Sequence, residues 1–119
     1  QALEQTGLEL LSLEQALTKA KQENKLVLAD MSAIWCPSCR KLDQEVLSKP
    51  AVKDAIHKNY VFSRTEYESE EGEALMKKYN VRGFPTILVL DNTGNLVQKI
   101  PLTFKPEEFI RLINQQANG

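Results

Sequence analysis

The apolar run at residues 26–31 restricts the fold more than any other segment of the chain. Its apolar side chains stand at successive positions, and polar residues bound the run. This pattern is typical of a short strand buried on both faces of a parallel sheet, with helices covering each face. Asp30 is the exception within the run, because a buried carboxylate needs a compensating partner. The run therefore predicts a central strand with one acid inside it.

Helical and strand patterns alternate along the rest of the chain. Helices are predicted at residues 13–23, from Pro37 through Val46, as a short helix from Pro50, at 70–79 and at the end, where Phe109, Leu112 and Ile113 form an inner stripe. Strands are predicted at residues 60–62, 85–90 and 96–100, the last two joined as a hairpin. The order predicts one α/β domain over residues 1–119, with a mixed central sheet and helices on both faces. Residues 1–11 are expected to be an N-terminal extension, either a tail or a short strand.

Composition and charge exclude several classes of function. With 119 residues and 42% hydrophobic residues, the chain can bury a core without metal or structural disulfides. A formal charge of −1 and the lack of a basic tract argue against a nucleic-acid partner. No apolar run approaches the roughly 20 residues that span a bilayer. The first residues lack the form of a secretory signal, although the numbering is compatible with the removal of a leader or anchor.

The two cysteines, Cys36 and Cys39, are separated by two residues at the junction of the first strand and the next helix. Pro37 suits the first helical position, which makes Cys36 the N-cap. There, free backbone N–H groups would stabilise its thiolate, so we expect Cys36 to be the nucleophile and the more exposed cysteine. Cys39, one turn deeper and facing inward, would be the resolving thiol. The pair predicts a reversible dithiol–disulfide switch.

Two other uses of the cysteine pair stay open at this point. An inert structural disulfide has the same spacing, and metal ligation is a second alternative. Zinc prefers four ligands, and His57 is the one histidine available as a nitrogen donor. We expect His57 to lie on the surface of the short helix, far from the cysteines, and we expect no metal site.

Three segments give the chain a family resemblance. Asp30, residues 35–39 (Trp-Cys-Pro-Ser-Cys) and residues 79–86 (Tyr-Asn-Val-Arg-Gly-Phe-Pro-Thr) have the order and spacing seen in the thioredoxin family. The resemblance spans roughly residues 12–115. Residues 40–52 further resemble the C-terminal periplasmic domain of DsbD-type thiol:disulfide interchange proteins, and the first helix resembles that of small exported thioredoxin-like proteins.

The resemblance implies a thioredoxin fold and an activity. The activity is thiol–disulfide exchange with protein disulfides. The chain would act as the reductant and would receive its electrons from a redox donor protein. A disulfide oxidase or isomerase and a non-catalytic binding module are the alternatives. The Cys36–Cys39 disulfide itself would carry the electrons, so no bound cofactor is expected. A monomer is expected, in the periplasm or otherwise exported, with the cytoplasm as the alternative because two cysteines fit either compartment.

The resemblance also implies roles for residues outside the cysteine pair. Asp30 would assist deprotonation of Cys39 through water, although an acceptor of N–H groups at a strand end is the structural alternative. The Phe84–Pro85 bond would be cis and face the dithiol, with Phe84 presenting backbone groups to an extended substrate. Trp35 would shield the dithiol and contact the substrate, rather than being buried as a core residue.

Departures from the family pattern limit the prediction. Ser38 stands where thioredoxin has proline, which leaves the direction of electron flow open. Pro101 stands near the position where thioredoxin has a glycine that lines the substrate groove. Arg64 lies about where many thioredoxins place a lysine beside the buried acid. We assign no role to Arg64, because the chain just after it has extra residues. The glutamates in that segment, residues 66–73, are expected to be a solvated face.

Overall fold

The computed structural model describes residues 8–118. Its helices are α1 (Leu13–Glu23), α2 (Pro37–Leu42), α3 (Pro50–Asn59), α4 (Gly72–Lys78) and α5 (Pro106–Asn118), and its strands are β1 (Leu26–Ser32), β2 (Tyr60–Glu66), β3 (Thr86–Leu90) and β4 (Leu96–Ile100). Within this part of the chain, no helix is both long and apolar enough to cross a membrane.

The strands form a mixed sheet in the order β2-β1-β3-β4. Strand β1 pairs in parallel with β2, so that Asp30 lies opposite Arg64. It pairs antiparallel with β3 on its other side, and β3 continues antiparallel to β4. The first predicted strand is therefore central, as its continuous apolar run indicated.

Helices cover both faces of this sheet. On one face, Leu28, Phe62, Ile87 and Val89 pack in a cluster with side chains of α2, α3 and α5. On the other face, residues of β1 and β3 pack against α1 and α4 through side chains such as Ala16. The predicted fold, a mixed central sheet between two layers of helices, is confirmed.

Local sequence signals set the helix ends. Ser12 and Gln15 form a complete capping box at the start of α1: each side chain accepts a hydrogen bond from the other residue's backbone N–H, at 3.1 and 3.0 Å. Asn24 ends α1 in the left-handed conformation. Pro50 occupies the first turn of α3, as the sequence indicated.

The structure differs from the sequence prediction in the length of two elements. Strand β2 continues to Glu66 rather than ending near residue 62, because its parallel pairing with β1 persists to the end of that strand. The helix from Pro37 does not continue as one α-helix: α2 ends at Leu42 and a π-helical segment, Asp43–Leu47, follows it. This segment buries Asp43 together with Val46 and Leu47.

The end of the predicted N-terminal extension packs onto the domain. Leu8 is buried in the same cluster as Leu28. Leu11 forms an isolated parallel bridge with Ser63 of β2. This single bridge is not a strand, residues 1–7 lie outside the described residues, and the extension over residues 1–11 stays a prediction.

Candidate active site

The two cysteines lie at the start of α2 and differ in their hydrogen bonds. Cys36 is the N-cap, with Pro37 in the first turn, and its Sγ accepts a hydrogen bond from the Cys39 N–H at 3.2 Å. Both are free thiols. Cys36 was expected to be the more exposed cysteine, but the difference is small: Cys36 is 5% exposed and Cys39 is 4% exposed. Exposure therefore does not distinguish the two sulfurs, whereas their positions do: Cys36 is the N-cap of α2, and Cys39 lies within its first turn.

Burial, together with the hydrogen bond and charge of Cys36, raises the pKa of the Cys39 thiol to about 12. The Ala33 backbone N–H and the Ser32 side chain act in the opposite direction and lower that pKa. Cys39 thus holds its proton at neutral pH. It needs a proton acceptor before it can act as a nucleophile.

Asp30 is fully buried, and its carboxylate accepts hydrogen bonds from side chains rather than from backbone N–H groups at a strand end. Ser32 Oγ donates to its Oδ1 at 2.5 Å. Arg64 donates to its Oδ2 through Nε at 3.1 Å and through Nη2 at 2.5 Å. An arginine from the adjacent strand therefore provides the positive charge that a buried carboxylate requires.

Arg64 also holds a second buried carboxylate, that of Asp43. Its Nη1 donates to Asp43 Oδ2 at 3.2 Å and its Nη2 donates to Asp43 Oδ1 at 2.6 Å. Burial raises the pKa of the Asp43 carboxyl, although Arg64 opposes this increase. Burial alone would lower the pKa of Arg64, but the two carboxylates outweigh it and raise that pKa. One guanidinium thus forms ion pairs with two buried carboxylates.

Arg64 and Asp43 were not among the predicted site residues. The available signal for Asp43 was its spacing, since it follows Cys39 by four positions and therefore lies on the same helix face. The signal for Arg64 was the register of two parallel strands, which pairs it with Asp30. That register does not follow from the sequence pattern alone.

An aromatic cluster lies beside the dithiol. Phe84 packs against the small cluster that contains Cys36 and Cys39. The Trp35 ring meets Phe84 edge to face, with centroids 5.7 Å apart, and Tyr67 contacts the Phe84 ring at 5.4 Å. Trp35 remains 55% exposed, so it is not buried as a core residue. These three rings form an apolar surface next to the reactive sulfurs.

Tyr67 is held in this aromatic cluster by the loop that follows β2. Its backbone N–H donates to the Ser32 carbonyl at 2.9 Å. Glu66 Oε2 accepts from the N–H groups of Ile34 at 3.1 Å and Glu68 at 3.3 Å. The loop after β2 is therefore hydrogen-bonded to residues 32–35, which precede Cys36 and form the cysteine loop. Glu66 is not simply a member of a solvated acidic face.

The remaining predicted residues take these positions. The Phe84–Pro85 peptide bond is cis, and Pro85 is buried directly before β3. Ser38 is exposed between the cysteines. Pro101 is exposed just after β4, and His57 is exposed on α3, as expected for a surface histidine. Among the described residues, no group of three or more potential ligands is arranged to hold a metal ion.

Comparison with known proteins gives consistent matches over most of the chain. A family model for a thioredoxin-like domain matches residues 13–117. The thiol:disulfide interchange protein DsbD of Haemophilus ducreyi is 31% identical over 109 residues, which are 89% of this chain. The chain covers only 19% of that relative, about a fifth of its length.

Solved structures align over similar lengths. The DsbD C-terminal domain of Neisseria meningitidis, in its oxidised form, aligns with a TM-score of 0.75 and 25% identity, covering 91% of this chain and 99% of that one. A thioredoxin from Thermus thermophilus aligns with a TM-score of 0.78 and 25% identity, covering 91% of this chain and 85% of that one.

Proposed function

Since the chain belongs to the thioredoxin-like family, we propose that it is a thiol-disulfide oxidoreductase that reduces disulfides of partner proteins. The observation that carries this proposal is the 3.2 Å hydrogen bond from the Cys39 N–H to Cys36 Sγ at the start of a helix. A backbone N–H at that position stabilises a thiolate on one sulfur of the pair. Thiol–disulfide exchange requires such a thiolate.

The reaction proceeds in two exchanges. The Cys36 thiolate attacks one sulfur of the partner disulfide, forming a mixed disulfide and releasing the other partner sulfur as a thiolate. Cys39 then loses its proton and attacks Cys36 Sγ. The Cys36–Cys39 disulfide forms, the bond to the partner breaks, and the partner leaves with two electrons from the dithiol. No bound cofactor takes part.

Reduction is proposed as the direction because the chain resembles DsbD-type thiol:disulfide interchange proteins. Burial raises the Cys39 pKa to about 12, which keeps this thiol protonated until it resolves the mixed disulfide. The reduction potential of the pair distinguishes a reductant from the oxidase and isomerase alternatives.

The aromatic cluster supports a protein as the substrate. Trp35 and Phe84 offer apolar area beside the sulfurs, and Pro85 directly precedes β3. An extended partner segment would lie along the Phe84–Pro85 backbone, with its cysteine against Cys36. The partners proposed are therefore protein disulfides, with a second redox protein that returns electrons to Cys36–Cys39.

Trapping of the mixed disulfide tests the assignment. Cys39→Ser should accumulate mixed disulfides through Cys36, because the resolving thiol is gone. Cys36→Ser is the matched control, and it should trap none. If Cys36→Ser traps partners and Cys39→Ser does not, the roles are reversed.

Equilibration with glutathione buffers tests the direction. A reductant should have a reduction potential near the thioredoxin value of about −270 mV, whereas an oxidase should lie near about −120 mV. A double Cys36→Ser/Cys39→Ser variant that retains full function would favour the binding-module alternative.

We propose a monomer that acts in the periplasm or elsewhere outside the cytoplasm, because the relatives include DsbD proteins. Fractionation of cells that express the full-length native gene product would test the compartment. Recovery in the cytosol alone would contradict this location. Sedimentation of the reduced protein would test its oligomeric state.

A further inference from the structure

The side chain of Glu66 connects two segments that meet beside the dithiol. Glu66 is the last residue of β2 and is paired with Ser32, the last residue of β1. It is half-buried, and its Oε2 accepts from the Ile34 N–H at 3.1 Å and from the Glu68 N–H at 3.3 Å. The Glu68 contact lies within the loop after β2, whereas the Ile34 contact reaches the cysteine loop. One carboxylate oxygen therefore ties the cysteine loop to the end of β2.

Ile34 and Trp35 are the central residues of the turn that leads to the first cysteine. The Cys36 N–H closes this turn by donating to the Ala33 carbonyl at 3.0 Å. Both central side chains are more than half exposed, and the Trp35 indole meets the Phe84 ring only edge to face. A side chain with so little packing around it is weakly fixed by its own contacts. The direction of the indole therefore depends on the backbone of the turn.

Other contacts fix the two ends of this connection without the carboxylate. The Glu66 carbonyl accepts from the Ser69 N–H at 3.0 Å and from its Oγ at 2.7 Å. The Tyr67 N–H donates to the Ser32 carbonyl at 2.9 Å. On the other side, Cys36 is held as the N-cap of α2. Loss of the carboxylate would therefore free the turn between two anchored segments and release neither of them.

On the premise that the chain reduces protein disulfides as proposed above, we propose that Glu66 is a positioning residue that fixes the Ile34–Trp35 turn and so holds the indole for the partner segment. A charged acceptor suits this role, because its hydrogen bond to an N–H is stronger than that of a neutral group. The Ile34 carbonyl has a second tie, to Arg40 Nη1 at 3.3 Å, but this arginine is exposed. An indole that is already fixed loses less conformational freedom when a partner binds, which favours binding.

The kinetic test compares a protein disulfide with a small one. The protein probe is insulin, reduced at steady state with dithiothreitol as the electron donor, and the small probe is oxidised glutathione. In Glu66→Ala the KM for insulin should rise about threefold to tenfold, the factor expected when one large side chain has to be ordered on binding. The value of kcat and the rate with oxidised glutathione should stay unchanged, because Cys36 keeps its position at the helix cap.

Fluorescence reports on the indole itself, since Trp35 is the single tryptophan of the chain. In Glu66→Ala the fluorescence anisotropy should fall, because the freed side chain moves on the nanosecond timescale. Glu66→Gln is the conservative variant, whose amide oxygen still accepts from the Ile34 N–H, so KM and anisotropy should stay near the native values. Glu70→Ala is the matched control, because it removes a charge from an exposed side chain of the same loop and should change neither quantity.

The outcomes separate this role from the proposed function. If the native protein does not reduce insulin in a way that depends on Cys36, the proposed function fails, while the anisotropy still shows whether Glu66 fixes Trp35. If the native protein reduces insulin but Glu66→Ala leaves KM and anisotropy unchanged, the positioning role is wrong. The role is also wrong if Glu66→Gln behaves like Glu66→Ala, since the charge and not the hydrogen bond would then matter. An equal loss with insulin and glutathione would overturn it too, because Glu66 would then act on Cys36.

Discussion

Arg64 places two of its N–H groups on a single oxygen of Asp30, at 3.1 and 2.5 Å. The same guanidinium bonds the carboxylate of Asp43. Three charged groups from β1, β2 and the π-helical segment that follows α2 therefore meet in one largely buried cluster. Loss of any one of them leaves a buried charge without its full set of partners.

Replacement of Arg64 should cost much of the stability of the domain. Arg64→Met would leave Asp30 and Asp43 buried beside each other without a cation, and breaking a buried pair in this way costs about 3 kcal/mol or more. Urea denaturation at neutral pH measures the free energy of unfolding. Arg111→Met is the control, because the Arg111–Glu108 pair is exposed and should contribute little to the free energy of unfolding.

Asp43 should make the stability of the domain depend on pH in a defined direction. Burial raises its pKa above the ordinary value of 3.8. An acid with a raised pKa in the folded state contributes stability below its unfolded pKa, and this contribution is lost as pH rises through the folded pKa. The free energy of unfolding of Asp43→Asn, relative to the native protein, should therefore increase as pH rises from 3.8 and then level off. A difference that is constant with pH, or that decreases, would contradict the raised pKa.

Iodoacetamide should label Cys36 and spare Cys39 in the native reduced protein. With a pKa of about 12, the Cys39 thiol is ionised in roughly one molecule in ten thousand at about pH 8. Peptide mass spectrometry after a short reaction measures the ratio of the two adducts. The denatured protein, in which both thiols should react, is the control, and equal labelling in the native state would contradict the prediction.

Removal of the Tyr67 ring should impair the reaction with protein substrates more than the reaction with small ones. Tyr67→Ala deletes apolar area that packs on Phe84 beside the sulfurs. We expect KM for a protein disulfide to rise several-fold, while the rate with oxidised glutathione stays unchanged. Leu102→Ala, at another exposed apolar residue, is the matched control for loss of surface area. Equal losses with both substrates would indicate damage to the dithiol instead.

Gly72 should tolerate no side chain, whereas Gly83 should accept one. A Cβ at Gly72 would lie 2.1 Å from the Glu66 carbonyl oxygen and 2.7 Å from that of Tyr67, so the backbone would have to move. Gly72→Ala should therefore lower the free energy of unfolding by about 1–3 kcal/mol. Gly83→Ala meets nothing within 4 Å and is the control. Thermal denaturation of the two variants compares them directly.

The parts of the fold that the sequence predicts are those with a local cause. The capping box at Ser12, the N-cap position of Cys36 and the apolar run through β1 each follow from neighbouring residues, and each is present. The end of β2 was missed because its last residues carry polar side chains. Only pairing with β1 shows that they belong to the sheet.

The parts of the site that escaped prediction depend on contacts between distant segments. Arg64 reaches Asp30 across the strand register, and Tyr67 reaches Phe84 across a loop closure. Residues at these positions do not contribute to the periodic pattern of apolar side chains from which helices and strands are predicted. The acidic composition of residues 66–73 favoured a solvated face, although the Glu66 carboxylate is a hydrogen-bond acceptor for the cysteine loop.

The position of β4 at the end of the strand order has a consequence for self-association. An edge strand offers unpaired backbone groups to a strand from another molecule, and β4 also exposes Leu96 and Val97. Lys99 places a charge on this edge, and its Nζ donates to the Asn80 carbonyl at 3.2 Å. Pro101, which has no N–H group, follows directly. A strand added to β4 would have to accommodate the charge of Lys99 and would find no N–H donor at Pro101, so both residues oppose extension of the sheet at this edge.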